Sequence, residues 1–415
     1  MYKNDGLTGS RKTEHNTNPT GENTMKKLLS AALAATMLTS MASAAEIKIG
    51  YVSTLSTGGA VIGNDIKKAV ELAVSHIGGK MGDLDVNVIW GDDGFKPETG
   101  KQVTDKLVKQ DNVDIVAGYI WSHVLLASRK SVLDAGKFLI TANAGPGPVA
   151  GKLCHENFFS SSWQNDQTPM AMGEVLNQNG VKSLYVIAPN YAAGKGMVAG
   201  VKRTFKGEIL GTDMTTWPTQ LDFSAELAKA KASGAEGLFV FYPGKAGGAF
   251  MKQYQQAGLK DSLPLYTTFT VDALSLPKFQ AAGFTDVLGS QFTQQWDPTL
   301  DNAANAKFVG DFRAAHGAYP SFYAAQAYDS IMMIKGAVEA VDGDLTNMDG
   351  MRSAMESQNY DSVRGKYTYG NNHMPIQAFY LREVVEGTDG NWTTKVVKTV
   401  YEAHQDTYAQ DCALN

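Results

Sequence analysis

The chain has 415 residues, 43% of them hydrophobic and 19% charged, and carries a formal net charge of −5 at pH 7. Such a length predicts two large α/β lobes rather than one ordinary domain, and the composition is that of a soluble globular protein with a sizeable core. Acidic residues outnumber basic ones and no run of Arg and Lys occurs, which argues against a nucleic-acid partner.

The first segment with a functional pattern is Met25–Ala45. A short basic region precedes an apolar stretch, and small residues follow at Ala42–Ala44, which is the layout of a secretory signal peptide. A membrane anchor is the alternative, but a bilayer crossing needs ~20 strongly apolar residues. We therefore predict a signal peptide at residues 25–44 and a periplasmic protein. The polar residues 1–24 are predicted to be a non-native or disordered extension.

From Glu46 onward the chain alternates strands with helices. Ile47–Val52 is predicted as the first strand, and a glycine-rich loop leads to a helix over Asp65–Ile77, for which Asn64 is the expected N-cap. The alternation continues through Asp85–Trp90, Pro97–Gln110, Val113–Ala117, Ser122–Ala135 and Phe138–Thr141. Short apolar strands separated by helices predict a parallel sheet that is buried on both faces.

A second series of the same kind follows, with no flexible linker before it. Helices and strands are predicted in turn at Met170–Asn179, Ser183–Ala188, Lys195–Phe205, Glu208–Met214, Phe223–Ser233, Gly237–Phe241, Gly247–Ala257 and Leu265–Thr268. Three further helices and a hairpin complete the chain, at Asn302–His316, Phe322–Ala340, Met348–Ser357 and Gln377–Glu386 with Lys395–Tyr401. The predicted fold class is α/β, with two Rossmann-like lobes that each contain a parallel central sheet.

The two cysteines of the chain, Cys154 and Cys412, both follow the predicted cleavage site. Export brings them into an oxidising compartment, where two thiols tend to pair, so we predict a disulfide between them. This bridge would tether the C-terminal tail, residues 401–415, to the first lobe. Two unpaired thiols are the alternative. Two cysteines and scattered histidines predict no metal site.

Ligands of open parallel sheets bind beyond the carboxyl ends of the strands. The segments after six predicted strands combine glycine, small polar residues and aromatic rings: Thr54–Gly63, Gly118–Ser122, Ala142–Gly147, Asn190–Gly194, Tyr242–Gly244 and Phe269–Asp272. Glycines expose backbone N–H groups that favour anions, and rings supply apolar walls. Each loop alone is compatible with ordinary turns, but six of them on one edge predict a binding cleft.

Catalytic and cofactor motifs are missing from the sequence. Gly58–Gly63 does not spell G-x-G-x-x-G, Ala193–Gly196 lacks the spacing of a phosphate loop, and neither G-x-S-x-G nor H-E-x-x-H occurs. His123 lies near the expected cleft, where a capping or surface role is the simpler interpretation. We predict a protein that is not an enzyme and uses no cofactor.

Several segments together resemble one protein family. IKIGYVSTLSTGGAVIGNDIKKAVELAV, DIVAGYIWSHVLLASRKSVLDAGKFLITANAG, GLFVFYPG and FYAAQAYDSIMMIKGAVEA are similar to the periplasmic leucine/isoleucine/valine-binding proteins. The resemblance spans about Glu46–Gln377. It implies a type I periplasmic-binding fold whose lobes close on a small-molecule ligand. It also implies a monomer that delivers this ligand to the membrane permease of an ABC importer.

The resemblance further implies where the lobes begin and end. Three crossovers are expected near Trp163–Pro169, Gln294–Pro298 and Arg364–Asn371. Lobe one then comprises residues 46–165 and 297–367, and lobe two comprises residues 166–296 and 368–400. A hinge of this kind brings the lobes together when the ligand binds.

Ligand contacts of the family carry over to the loops that follow the strands. The matching residues are Trp121, Ser122, Asn143, Ala144 and Gly145 in lobe one, and Tyr191, Tyr242, Thr268 and Phe269 in lobe two. Tyr119 is expected beside them as part of an aromatic wall around the ligand.

The sequence departs from the amino-acid binders of this family at one loop. Those proteins place a carboxylate there for the ligand's ammonium group, whereas Tyr266–Thr270 contains no acid and the next one is Asp272. Because a buried ammonium without an anionic partner is costly, we expect an aromatic or apolar carboxylate, held by backbone N–H groups near Ser122 and Asn143–Gly145. A branched-chain amino acid held by Asp272, and a sensor module for a membrane receptor, are the alternatives.

Overall fold

The computed structural model describes Glu14 and residues 45–414, so the predicted signal peptide and the extension before it lie outside the described residues. Among the helices within residues 45–414, none combines the length and the apolar character needed to cross a membrane. The described chain forms two sheets with helices around them, which confirms the predicted α/β class.

The first sheet has six strands in the order β2-β3-β1-β4-β5-β6. These are β1 (Glu46–Ser53), β2 (Lys80–Met81), β3 (Leu84–Asp92), β4 (Ile115–Gly118), β5 (Phe138–Thr141) and β6 (Phe158–Ser160). All neighbours pair in parallel except β2 with β3, and Ile49 of β1 lies opposite Val88 and Ile115. Every residue of β4 and β5 is buried, as expected for a parallel sheet covered on both faces.

The second sheet has eight strands. These are β7 (Ser183–Pro189), β8 (Glu208–Thr215), β9 (Gly237–Val240), β10 (Leu265–Thr267), β11 (Gln291–Gln294), β12 (Thr368–Tyr369), β13 (Pro375–Glu386) and β14 (Trp392–His404). The order is β12-β13-β11-β10-β9-β7-β8, and β14 pairs with β13. Strands β7 to β11 pair with one another in parallel, whereas β13 runs antiparallel to β11, β12 and β14.

Twelve α-helices of the described chain surround the sheets. They are α1 (Ala60–His76), α2 (Pro97–Lys109), α3 (Ser122–Leu133), α4 (Gly147–Ala150), α5 (Gln167–Gln178), α6 (Ala192–Thr204), α7 (Ser224–Ala232), α8 (Gly244–Gln256), α9 (Leu276–Ala281), α10 (Ala303–His316), α11 (Phe322–Glu339) and α12 (Met348–Glu356). Helix α11 packs against α1 beside the first sheet, and α5 packs against β11 and β13 of the second.

The predicted alternation of strands and helices is confirmed, with local differences. Helix α1 begins at Ala60, so Asn64 lies inside the helix and the prediction of an Asn64 N-cap is wrong. Gly63 permits the earlier start, because an added Cβ there would lie 1.8 Å from the carbonyl oxygen of Thr54. Strands β6 and β11 were not predicted, because β6 has only three residues and two of the four residues of β11 are glutamines, so neither presents an apolar run.

The chain passes between the two sheets three times. The connecting segments lie between β6 and α5, between β11 and α10, and between α12 and β12. The predicted lobe limits at residues 165/166, 296/297 and 367/368 fall inside these three segments and stay a prediction. We use lobe one for the first sheet with its helices and lobe two for the second.

A buried charge network lies where the connecting segments meet. Arg364 donates from Nε to Asp329 Oδ2 (3.0 Å), and from Nη1 to the carbonyl oxygen of Ser162 (3.0 Å) and to Gln377 Oε1 (2.6 Å). Burial raises the pKa of Asp329, and the charge of Arg364 and a hydrogen bond from Ser362 oppose that rise. The network ties the first and third connecting segments to α11 and to the second sheet.

The predicted disulfide is confirmed, with the Sγ atoms of Cys154 and Cys412 2.06 Å apart. Strand β14 belongs to the second sheet and Cys154 follows α4 of lobe one, so the tail after β14 returns to lobe one. On the way Tyr408 packs over Gly147, where an added Cβ would lie 2.6 Å from the ring, and its hydroxyl donates to Asp166 Oδ2 (3.1 Å). The tail therefore contacts both lobe one and the first connecting segment.

Candidate ligand-binding cleft

Two cavities, inner and outer, lie between the lobes beyond the carboxyl ends of the parallel strands, and a third of about 480 Å³, lined by Asp272, adjoins the outer one. The inner cavity measures about 20 Å³ and is enclosed by the loops after β4, β5, β7, β9 and β10, the first connecting segment and the start of α11. The outer cavity measures about 850 Å³ and opens toward solvent. Trp121, Tyr191 and Pro243 line both cavities, which therefore form one cleft.

Most of the predicted contact residues come together at the inner cavity. Its lining includes Trp121, Ser122, Asn143, Ala144, Tyr191 and Phe269. Tyr119, Gly145, Tyr242 and Thr268 line neither cavity. The structure thus brings loops of both lobes together, as expected from the rule that ligands bind beyond the carboxyl ends of parallel strands (the strand-end rule). Contact with the ligand stays a prediction for all ten residues.

The four predicted residues outside the lining lie behind it. The Tyr119 hydroxyl hydrogen-bonds Thr104 Oγ1 (2.8 Å), and the Tyr242 hydroxyl hydrogen-bonds Thr215 Oγ1 (2.6 Å), so both rings are held in the lobe interiors. Thr268 Oγ1 lies 3.7 Å from the sulfur of Met197, which lines the inner cavity. An added Cβ on Gly145 would lie 2.0 Å from the carbonyl oxygen of Trp163. These residues support the lining rather than form it.

Aromatic rings dominate the inner cavity. Phe269 stacks on Trp163 with ring centroids 4.7 Å apart and meets Phe241 edge-on at 6.0 Å. Phe269 has a φ of +58°, a left-handed conformation that non-glycine residues rarely adopt, and this backbone directs the loop after β10. The indole Nε1 of Trp163 is buried and has no hydrogen-bond partner among the described residues. A ligand acceptor would satisfy this N–H group.

Two of the backbone N–H groups that were predicted to bind the ligand's carboxylate are already hydrogen-bonded within the protein. The N–H of Ala144 donates to the carbonyl oxygen of Tyr119 (3.0 Å), and the N–H of Gly145 donates to Asn165 Oδ1 (3.2 Å). Asn165 also donates from Nδ2 to Ser122 Oγ (3.0 Å). The expectation that the Ala144 and Gly145 N–H groups await an anion is therefore wrong. The start of α3 at Ser122 remains, because the first N–H groups of a helix have no partner within it.

A hydrogen-bond chain orients Trp121 at the boundary of the two cavities. Its indole Nε1 donates to Thr54 Oγ1 (2.7 Å), and Thr54 donates to Asp93 Oδ1 (2.5 Å). Burial raises the pKa of Asp93, while the hydrogen bond from Thr54 opposes the rise. This series of hydrogen bonds leaves the face of the Trp121 indole ring directed toward the cleft.

Rings of both lobes meet across the outer cavity. From lobe one, Phe95 packs edge-on to Trp121 at 4.2 Å. From lobe two, Tyr191 stacks on Trp217 at 5.1 Å with an angle of 12° between the rings. His123 of lobe one meets Tyr191 edge-on at 5.5 Å, and Trp121 lies 6.0 Å from Trp217. The lobes are therefore in contact through aromatic side chains.

Several lining residues were not predicted. Phe95 and Trp217 lie three and two residues after the ends of β3 and β8, so the strand-end rule applied to every strand would have found them. Trp163 and Asn165 lie in the first connecting segment and Tyr323 in the first turn of α11, and no local pattern marks them. His123 lines the outer cavity, against the simpler interpretation of a cap or surface residue.

Acidic groups are absent from the described lining of the inner and outer cavities. Neither cavity is lined by an Asp or Glu of residues 45–414, and the inner cavity has no charged side chain among them. The outer cavity is lined by Lys96, Lys245 and His123. Burial lowers the pKa of His123 below its usual 6.5, so its ring is neutral at pH 7. The inner and outer cavities therefore offer rings and cationic groups, and no counter-ion for an ammonium.

Asp272, the acid on which the amino-acid alternative depends, lies outside the inner and outer cavities and lines the adjoining cavity of about 480 Å³. Its Oδ1 accepts hydrogen bonds from the backbone N–H groups of Leu274 (2.9 Å) and Ser275 (3.0 Å), so it closes the turn before α9. Burial raises its pKa to about 6. One oxygen of the carboxylate is therefore held in a local turn.

Replacing Asp272 with asparagine is expected to change the pH dependence of stability. A carboxyl whose pKa rises from 3.8 to about 6 on folding favours the folded state below its unfolded pKa, and this advantage is lost as the pH rises through 6. Asparagine does not ionise. The free energy of unfolding of Asp272→Asn should therefore rise, relative to the wild type, by up to about 3 kcal/mol from about pH 4 to pH 7.

Urea unfolding at the two pH values measures this difference. Asp222 is an exposed capping acid whose pKa is lowered by hydrogen bonds from the backbone and side chain of Ser224, so Asp222→Asn is a control with the opposite sign. A difference between Asp272→Asn and the wild type that stays constant with pH would contradict the prediction.

Residues 45–414 contain no group of three or more His, Cys, Asp or Glu side chains arranged to hold a metal ion.

Comparison with known proteins identifies relatives over most of the same residues. The family model for periplasmic binding proteins matches residues 46–391. The Leu/Ile/Val-binding protein homolog 6 of Brucella abortus (strain 2308) is 28% identical over 385 residues, which cover 90% of this chain and 97% of that protein.

Two solved structures are similar over nearly their full length. A solute-binding protein of an ABC transporter from R. palustris, in complex with benzoate, has a TM-score of 0.82 at 29% identity and covers 89% of this chain and 100% of its own. Another, from Rhodopseudomonas palustris BisB5 in complex with 3,4-dihydroxybenzoic acid, has a TM-score of 0.80 at 24% identity, over 87% and 99% of the two chains. The second similarity shows a shared fold.

Proposed function

We propose that this chain, which belongs to the periplasmic binding protein family, captures an aromatic carboxylate between its two lobes and delivers it to an ABC importer. Membership of the family makes it a solute-binding protein that works with ABC transporter permeases. The chemical class of the ligand and the residues that contact it are what the proposal adds.

The composition of the cleft lining carries the proposal. An α-ammonium in the inner cavity would be buried without an anionic partner, which costs several kcal/mol. A carboxylate avoids that cost, because it can accept hydrogen bonds from neutral N–H groups. The rings of Trp121, Trp163, Tyr191 and Phe269 supply the apolar surface that an aromatic body requires.

The binding mode follows from donors that remain available. The carboxylate would lie at the start of α3 near Ser122, where the helix dipole also favours an anion, with the Trp163 indole N–H as a second donor. The aromatic body would lie against Phe269 and Tyr191. Because the inner cavity measures about 20 Å³, the lobes must separate to admit a ring, and the three connecting segments supply that hinge.

The proposal includes several statements about the protein as a whole. It binds its ligand without changing it chemically, acts as a monomer in the periplasm after removal of the signal peptide, and has no nucleic-acid partner. The family model supports the periplasmic location. The missing catalytic motifs support binding without chemical change, and the acidic net charge argues against a nucleic-acid partner.

The relatives favour two different ligand classes. The R. palustris protein that shares 29% identity binds benzoate, whereas the Brucella relative is named for leucine, isoleucine and valine. The amino-acid alternative requires Asp272 to reach the ligand, and its position outside the inner and outer cavities, with Oδ1 held by two backbone N–H groups, argues against this.

Calorimetry with benzoate and with leucine is expected to show tighter binding of benzoate. Phe269→Leu should weaken benzoate binding about threefold to tenfold, because a stacked aromatic contact contributes roughly 0.5–1.5 kcal/mol. Phe308 of α10 is equally buried and far from the cleft lining, so Phe308→Leu is the matched control and should leave the affinity unchanged. Micromolar leucine binding that Asp272→Asn abolishes would contradict the proposal.

A further inference from the structure

We propose that the ligand has two aromatic rings rather than one, with the second ring in the outer cavity and a hydrogen-bond acceptor or anionic group at its far end. This inference rests on the proposed function, since it concerns the size and the second polar group of the same aromatic carboxylate. It assigns to the outer cavity a part in binding the ligand, rather than only a route by which the ligand enters and leaves.

The volumes of the two cavities are the first argument. A cavity that accommodates a benzene ring measures roughly 150 Å³, so the inner cavity, at about 20 Å³, has room for no more than the one ring for which the lobes separate. The outer cavity measures about 850 Å³, within the range of roughly 300–1,000 Å³ typical of sites for drug-sized ligands. The shared walls at Trp121, Tyr191 and Pro243 make the two continuous, so a ligand anchored at the inner end extends into the outer one.

Unpartnered ring nitrogens in the outer cavity are the second argument. His123 Nδ1 and Trp217 Nε1 are buried atoms with no hydrogen-bond partner among the described residues, and both side chains line this cavity. Buried polar groups of native proteins are nearly always paired, and an unpaired one destabilises the structure. A ligand group that bonds these atoms would remove that cost, which an apolar extension alone cannot do.

The arrangement of rings and charges is the third argument. Trp121, Tyr191 and Trp217 form one aromatic cluster in the lining, with Trp121 and Trp217 in contact at 6.0 Å, so a ligand ring would pack against this cluster rather than between its rings. Lys96 and Lys245 line the same cavity, are exposed, and make no ion pair within residues 45–414. An anionic far end would lie near these two cations.

Titration calorimetry on the full chain with benzoate, 4-phenoxybenzoate and 4,4′-oxydibenzoate tests the inference. Burying a second ring should make 4-phenoxybenzoate bind about tenfold more tightly than benzoate. Trp217→Ala should bring the ratio of these two affinities to about one. The second carboxylate should add a further gain of about threefold that Lys96→Gln removes and that salt weakens, with the exposed Lys152→Gln as the control.

The outcomes separate the inference from the proposed function. If benzoate binds most tightly of the three, or if Trp217→Ala lowers all affinities by the same factor, the two-ring ligand is overturned and the aromatic carboxylate stands. If none of the three acids binds, the proposed function fails and the inference fails with it. Lys96→Gln is a surface change that keeps the test informative even if Trp217→Ala does not fold.

Discussion

Replacing Arg364 with methionine is expected to lower the free energy of unfolding by about 3–5 kcal/mol, the cost of leaving one member of a buried ion pair without its partner. The side chains of Arg364 and Asp329 are 1% and 0% exposed. Removing the guanidinium leaves the Asp329 carboxylate buried, and it also takes hydrogen bonds away from Ser162 and Gln377. The connecting segments would lose the group that joins them.

Urea unfolding of the wild type and the variant measures this loss. Arg313 pairs with Asp389 at the surface, where the two side chains are 38% and 28% exposed, so Arg313→Met should cost only about 1 kcal/mol or less. The double variant Arg364→Met, Asp329→Asn should recover part of the loss because no unpaired charge is left buried. A loss for Arg364→Met no larger than that of the surface control would show that the buried pair does not stabilise the hinge.

Removing the disulfide by Cys154→Ser and Cys412→Ser is expected to lower the free energy of unfolding by up to about 5 kcal/mol. The bridge joins residues 258 positions apart, and closing so long a loop restricts the unfolded chain strongly. The native contacts of the tail, including the Tyr408 hydroxyl with Asp166, do not require the bridge and should persist in the variant.

Urea unfolding measures this loss, and reduction of the wild-type disulfide supplies a control. Wild-type protein treated with a reductant should unfold at the urea concentration of the double serine variant, whereas the variant itself should not respond to the reductant. Mass spectrometry of the unreduced protein should find no free thiol. Equal unfolding midpoints for the oxidised wild type and the variant would contradict a stabilising bridge.

The local pattern of the sequence predicted most of the fold. Alternating apolar strands and amphipathic helices gave the α/β class, and even short segments such as Phe138–Thr141 were predicted with the bounds that the structure has. The disulfide also follows from the sequence, because two cysteines in a chain that is predicted to be exported leave one possible pairing. The strand-end rule gave the edge of the cleft, since all parallel strands of a sheet end on the same side.

Only the tertiary structure decided which side chains face the ligand and which groups are already occupied. Asn165 takes the N–H of Gly145, and Asp272 closes a turn, although the sequence left both groups free to bind. Trp163 reaches the inner cavity from a connecting segment with no periodic pattern. Strand and helix periodicity depends on neighbouring residues, whereas hydrogen-bond partners and cavity volume depend on residues that are far apart in the chain, and these meet only when the lobes pack together.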